Sequence, residues 1–220
     1  MTDATHLPPH RAERERLCDL FVDLGPEAPT LCEGWATADL AAHLVVREGW
    51  NPLPGLGIVA PPLHRLHDDA IARTKHRLPW PALVDKVRTG PPVGPFRLLD
   101  GLVNVQEYIV HHEDVRRGGG DHTPRPEGEI ADVEALLWRN LRRMARLMTR
   151  SVKGIGLVLR RPDGKEIVAR SAATDAPTAI LVGRPGELVL YVLGRKAAAD
   201  VTIEGGAAAE QALAAARLGI

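Results

Sequence analysis

The chain has 220 residues, 45% of them apolar and 4% aromatic, an ordinary globular composition that allows one large core or two smaller ones. Basic and acidic residues both number 28, so the formal net charge is zero, which argues against nucleic acid or anionic membranes as partners. The N-terminus is polar and no run of about 18 apolar residues occurs, which predicts a cytoplasmic protein without a membrane span. The cysteine count of 2 is too low for a disulfide framework.

The N-terminal half has the apolar periodicity of helices. Helices are predicted at 7–24, from Thr37 as cap to about Trp50, and at 63–77, 81–89 and 96–117, with a glycine run at 118–120 ending the last. The Pro/Gly-rich stretch 52–62 interrupts this series and predicts an ordered loop that would suit a lid.

After the glycine run the pattern changes from helix to strand. A helix is predicted at 129–150, and a final helix at 207–218. Strands are predicted at 156–160, 166–170, 179–182, 188–193 and 200–203, with a hairpin turn at 161–164. The sequence therefore predicts a mainly α fold with an α+β part: a helical domain at 1–125 and a small domain at 126–220 with a helix, a mostly antiparallel sheet and a helix.

A polar stripe follows one face of the predicted helix 96–117. Asp100, Asn104, Glu107, His111 and Asp114 are spaced by four, three, four and three residues, and apolar residues occupy most of the remaining circumference. Spacing alone fits the solvated face of an amphipathic helix equally well. The stripe holds only carboxylates, an amide and an imidazole, however, which favours a set of groups that face inward and meet a cation.

Three residues of the sequence form a candidate metal site. Glu107 and His111 are four residues apart and can reach one ion, and His43 is the best third ligand because it lies mid-helix between Leu40 and Leu44. Two imidazoles and one carboxylate suit Zn²⁺ with a fourth position open for catalysis. Ni²⁺, Fe²⁺ and Mn²⁺ accept the same ligands.

Other polar residues are candidates for roles around this site. Asp114 could orient an imidazole or receive a proton, and Arg47 could hold an anionic substrate group or form an ordinary ion pair. His112 is interpreted as a supporting or surface residue. His64 and His67 are three residues apart, but no third ligand lies near them, so His67 receives no role. Both cysteines are interpreted as buried thiols.

Three segments carry a resemblance to a known family: LCEGWATADLAAHL at 31–44, EYIVH at 107–111 and GELVLYVLGR at 186–195. Together they resemble the mycothiol-dependent maleylpyruvate isomerase family, within the DinB/YfiT-like superfamily of metal-binding four-helix bundles. The resemblance implies a DinB-like bundle in the first domain, zinc-ligand roles for His43, Glu107 and His111, and mycothiol as the thiol at the open zinc position. It also implies that Arg195 approaches an anionic ligand from the second domain.

The leading interpretation is a metal- and thiol-dependent isomerase or transferase acting on a small-molecule electrophile, as a monomer or homodimer. The alternative is a non-enzymatic metal-binding or ligand-sensing regulatory protein with a structural ion, which a fourth protein ligand would favour. A third possibility is that the stripe is a buried hydrogen-bond network that holds no metal.

Overall fold

The computed structural model describes residues 7–49, 64–91 and 100–219, with side chains from Gln106 onward in the helix that begins at Asp100. Its residues divide after Asp121 into two compact units. Some predicted features lie outside the described residues: the loop 52–62, Trp50 and residues 96–99. The side chains of Asp100 and Asn104 are also outside them.

The first unit consists of helices in its described part. They are α1 (Pro9–Leu24), α2 (Thr37–Arg47), α3 (His64–Arg77), α4 (Trp80–Thr89) and α5 (Asp100–Arg117). Helix α1 packs against α4 and α5, and α2 packs against α3 and α4. Apolar side chains at helical spacing form the core between them, including Leu17, Phe21, Leu40, Leu44 and Leu83, each no more than 1% exposed.

A buried ion pair ties three of these helices together. Arg14 on α1 donates from Nη1 and Nη2 to the two carboxylate oxygens of Glu48, at 2.8 and 2.9 Å. The Tyr108 hydroxyl on α5 donates to the same carboxylate at 2.6 Å, and the Arg14 guanidinium lies 4.4 Å from the centre of the Tyr108 ring. Because Glu48 directly follows α2, this network fixes α2 and α5 relative to each other.

The start of α2 differs from the prediction. Thr37 is the first helical residue and not the cap: its hydroxyl donates to the Gly25 carbonyl at 2.5 Å. The Ala36 N–H instead donates to the Asp39 carboxylate at 3.1 Å, so an acidic side chain in the first turn caps the helix from inside. The described helix ends at Arg47, before the predicted end at Trp50.

The segment between α1 and α2 docks on the C-terminal end of α5. The Leu31 N–H donates to the Asp114 carbonyl at 2.9 Å. A Cβ atom at Gly118 would lie 2.1 Å from the Pro29 carbonyl oxygen, so only glycine allows the two backbones to approach this closely. This docking brings Cys32 next to the polar face of α5.

The second unit combines helices with a mixed sheet. Its elements are α6 (Glu127–Met148), β1 (Gly156–Arg160), β2 (Glu166–Arg170), β3 (Thr178–Val182), α7 (Pro185–Val192), β4 (Thr202–Glu204) and α8 (Ala207–Ala215). The strand order is β2-β1-β3-β4, with β1 parallel to β3 and the other two pairs antiparallel. The predicted hairpin turn at 161–164 is confirmed, with Gly164 N–H donating to the Arg161 carbonyl at 2.9 Å. The mainly α fold class with an α+β part is confirmed as well.

The predicted strand at 188–193 is wrong, because this segment belongs to helix α7. Residues 188–192 are at most 5% exposed, so every face is apolar and neither a helical nor a strand period is visible in the sequence. Pro185 at the first helical position and Glu187 in the first turn are helix-start signals, and they outweigh the strand propensity of the valines.

Candidate metal centre

Helices α2 and α5 bring His43, Glu107 and His111 together. One ligand atom of each residue lies within 4.8 Å of the ligand atoms of the other two. The His43 and His111 rings are 5.2 Å apart between centroids, and Glu107 Oε2 lies 3.4 Å from His111 Nε2. His43 and His111 are 5% and 7% exposed, and the Glu107 side chain is 29% exposed. The three side chains that the sequence predicts to meet are therefore close together in the structure.

The environment sets the charge of each of these groups. Burial lowers the pKa of His43 to about 3, and the positive charge of His111 acts in the same direction. Burial raises the pKa of Glu107, but the hydrogen bond with His111 and the charge of Arg47 outweigh it and lower the pKa to about 2. Near neutral pH the centre thus holds a neutral His43 and an ionised Glu107, two forms that ligate metals directly.

His111 is held by a carboxylate on its other side. Its Nδ1 donates to Asp114 Oδ2 at 2.9 Å, and the Asp114 side chain is 0% exposed. Burial lowers the pKa of His111, but hydrogen bonds with Asp114, Cys32 and Glu107 raise it well above its usual value. Without a metal, His111 is therefore protonated on both ring nitrogens. A metal ion would have to displace the proton on Nε2.

A second group of donors shares His111 with the first. Cys32, His111 and Asp114 also place ligand atoms within 4.8 Å of one another, and Cys32 Sγ donates to Asp114 Oδ2 at 3.2 Å. Nitrogen and oxygen donors of one tetrahedral Zn²⁺ lie about 3.3–3.5 Å apart, as the usual bond lengths require. The 3.4 Å between His111 Nε2 and Glu107 Oε2 fits this spacing, whereas the 2.9 Å between Nδ1 and Asp114 is a hydrogen bond. The donor set His43, Glu107 and His111 therefore fits a metal better.

Arg47 lies beside the centre and forms an ion pair within it. Its Nε is 3.4 Å from Glu107 Oε2, and its side chain is 15% exposed. This ion pair places a permanent positive charge next to the candidate ligands. Arg195 lies in the second unit, where its Nη1 donates to the Leu193 carbonyl at 2.8 Å.

Sequence reasoning missed His67. The sequence gives no role to this residue, whereas in the structure its side chain is buried on α3 and its Nε2 lies 3.1 Å from His43 Nδ1. No spacing rule signals this contact, because 24 residues separate the two histidines. Trp35 was likewise not assigned to the centre, although its ring centroid lies 5.2 Å from that of His43 and 6.4 Å from that of His67.

Two further interpretations are adjusted by the structure. Cys18 is a fully buried thiol as predicted, whereas Cys32 is only partly buried and contacts Asp114. His112 is buried and not at the surface, with its Nδ1 3.0 Å from the Glu13 carboxylate.

Comparison with solved structures identifies the fold. The chain is similar to the crystal structure of the mycothiol-dependent maleylpyruvate isomerase, with a TM-score of 0.58 and 20% identity over 94% of this chain and 98% of that chain. A mutant of that isomerase gives a TM-score of 0.57 and 19% identity with the same coverage. No protein-family model and no curated protein matches the sequence. Among the described helices, none is long and apolar enough to cross a membrane.

Proposed function

We propose that the chain binds one divalent metal ion, Zn²⁺ by preference, through His43, Glu107 and His111, and uses it in a thiol-dependent isomerisation or transfer reaction. The observation that carries the proposal is the convergence of these three donors from α2 and α5, with the spacing of zinc ligands between Glu107 and His111. Two imidazoles and one carboxylate are typical of catalytic zinc sites, in which a further position stays open. Ni²⁺, Fe²⁺ and Mn²⁺ are the alternatives.

The thiol is proposed to be mycothiol, with a small-molecule electrophile as the second substrate. The support is the fold shared with an enzyme described as mycothiol-dependent. Zinc in such a site would supply the deprotonation of a thiol that joins it at neutral pH.

The residues of the chain have separate parts in this scheme. Asp114 holds His111 by its Nδ1, which leaves Nε2 directed at Glu107. Arg47 provides a positive charge that an anionic group of the electrophile can share with Glu107. Arg195, which belongs to the second unit, is proposed to contact an anionic ligand.

The fold shared with the maleylpyruvate isomerase also supports a proposal for the domain organisation. Helices of the first unit would form a DinB-like four-helix bundle that carries the metal, and the second unit would correspond to the predicted α+β domain of residues 126–220. We expect a monomer or homodimer.

Metal content tests the binding part of the proposal. The protein is stripped with a chelator, reloaded with Zn²⁺, desalted and analysed by mass spectrometry, together with the His43→Ala, His111→Ala and His76→Ala variants. His76 is an exposed histidine of α3 and serves as the matched control. We expect about one ion per chain in the wild type and the control and strongly reduced content in the other two variants. Equal content in all four samples would remove the site.

Turnover tests the enzymatic part. Isomerisation of maleylpyruvate and conjugation of an aryl halide are measured with and without mycothiol, using protein that holds Zn²⁺ and protein that has been stripped. Turnover that requires both the metal and the thiol is expected. Stoichiometric metal with no thiol-dependent turnover would instead favour the regulatory protein with a structural ion. Cys32 and Asp114 lie close to His111, and a fourth protein ligand from either residue would close the site in that way.

A further inference from the structure

His67 is a buried imidazole that the proposed ligand set does not use. It lies on α3 with 6% of its surface exposed, and its Nε2 is 3.1 Å from Nδ1 of His43. The two rings meet edge to face, with centroids 5.2 Å apart and planes at 70°. Because His43 belongs to α2, this contact links the proposed metal centre to a helix that contributes none of the three ligands.

The contact constrains which nitrogen of His43 can face an ion. A histidine that ligates a metal through one ring nitrogen carries a hydrogen on the other, and a fixed acceptor for that hydrogen sets the ring orientation. His43 Nδ1 is engaged by His67, so Nε2 is the nitrogen left for the ion. His111 has the same arrangement, with Nδ1 on Asp114 and Nε2 towards Glu107.

From this geometry we infer that His67 is a positioning residue of the metal centre: its Nε2 accepts a hydrogen bond from His43 Nδ1–H and thereby directs His43 Nε2 at the ion. The inference rests on the proposed metal site and deepens it.

The surroundings of His67 support the acceptor role of its Nε2. The Asp68 carboxylate lies 3.5 Å from His67 Nδ1, which favours the tautomer that carries its hydrogen on Nδ1 and leaves Nε2 as an acceptor. The Trp35 ring stacks on His67 with an interplanar angle of 21° and also contacts the His43 ring. Both imidazoles are therefore held against one aromatic surface, which restricts their rotation.

A role for His67 as a fourth metal ligand fits less well. Among the described residues, the groups whose ligand atoms all lie within 4.8 Å of one another contain His43, Glu107 and His111 or Cys32, His111 and Asp114, and His67 is in neither. Its Nε2 is at hydrogen-bond distance from His43, which is the separation of a supporting residue.

Variants of His67 in the full chain test the inference. The dissociation constant for Zn²⁺ is measured by competition with a chromophoric chelator, and the visible spectrum of the Co²⁺ form reports the geometry at the ion. His67→Leu removes the acceptor, whereas His67→Gln can restore one through its amide oxygen. His76→Leu is the control, because His76 is an exposed histidine on the same helix.

Loss of such a supporting partner typically weakens metal binding about 10- to 100-fold. We expect that loss and a changed Co²⁺ spectrum for His67→Leu, partial recovery for His67→Gln and no change for His76→Leu. If circular dichroism shows that His67→Leu does not fold, His67→Ala, which also lacks the acceptor, replaces it. A dissociation constant and spectrum equal to wild type in a folded variant without the acceptor would overturn the inference and leave the metal site intact.

Nitrogen NMR of the histidine rings separates this inference from the metal proposal. In the Zn²⁺ form, His43 is expected to carry its hydrogen on Nδ1 and bind through Nε2. Binding through Nδ1 would overturn the role of His67 even though metal is bound. A wild-type chain that binds no divalent ion would overturn the proposed function, and the positioning role would fall with it.

Discussion

Asp114→Ala removes the carboxylate that accepts hydrogen bonds from His111 Nδ1 at 2.9 Å and from Cys32 Sγ at 3.2 Å. His111 then loses the acceptor that fixes its ring, inside a site in which the Asp114 side chain is 0% exposed. Loss of such a partner typically weakens metal binding about 10- to 100-fold, which corresponds to about 1.4–2.8 kcal/mol of binding free energy. Asp114→Asn, whose amide oxygen can still accept from Nδ1, should lose less.

The same substitution has an opposing effect through the proton on His111. Asp114 helps to raise the pKa of His111, so its removal also reduces the competition between that proton and the metal. The two effects oppose each other near neutral pH, and only the loss of positioning remains in alkaline solution. The difference in affinity between wild type and variant should therefore grow as the pH rises from about 7 to about 9.

The assay is a Zn²⁺ competition titration at both pH values. Asp69→Ala, which alters an exposed carboxylate of α3, is the control and should match wild type. Circular dichroism establishes that each variant is folded. Equal Zn²⁺ affinities of wild type and Asp114→Ala in alkaline solution would refute the positioning role of Asp114.

Three further predictions concern protonation, stability and thiol reactivity. Because the pKa of His111 is raised, binding of Zn²⁺ near neutral pH should release about one proton and weaken as the pH falls. Calorimetry in buffers of different ionisation enthalpy measures this release, and a heat independent of buffer would contradict it. Arg14→Met leaves the buried Glu48 carboxylate without its guanidinium partner and should lower the free energy of unfolding by about 3–5 kcal/mol in urea titrations, which a loss below about 1 kcal/mol would contradict. Burial raises the pKa of Cys18 to about 12, so a maleimide should label the partly buried Cys32 in the native protein and Cys18 only after unfolding, and equal labelling rates would count against this assignment.

Elements with a clear period were predictable from the sequence. The α5 residues Glu107, His111 and Asp114 share one face because of their spacing alone, and the structure places them together. The hairpin turn at 161–164 was predictable from its residue types, since Gly164 supplies the positive φ of +84° that the Arg-Pro-Asp-Gly sequence indicates.

Features that depend on tertiary contacts were not predictable. His67 reaches His43 only because α3 packs on α2, and Cys32 reaches Asp114 only because the preceding segment docks at Gly118. Helix α7 has a different cause: when every face of a short segment is buried, the apolar pattern carries no period and strand propensity misleads.

The central claim is that His43, Glu107 and His111 hold one divalent ion and leave a position open. Anomalous diffraction from crystals of the Zn²⁺-loaded protein measures this directly. We predict one peak at about 2.0–2.2 Å from Nε2 of both histidines and from a Glu107 carboxylate oxygen, with Asp114 remaining a hydrogen-bond partner of His111. A peak ligated by Cys32 and Asp114, or a fully loaded crystal without a peak between α2 and α5, would contradict the claim.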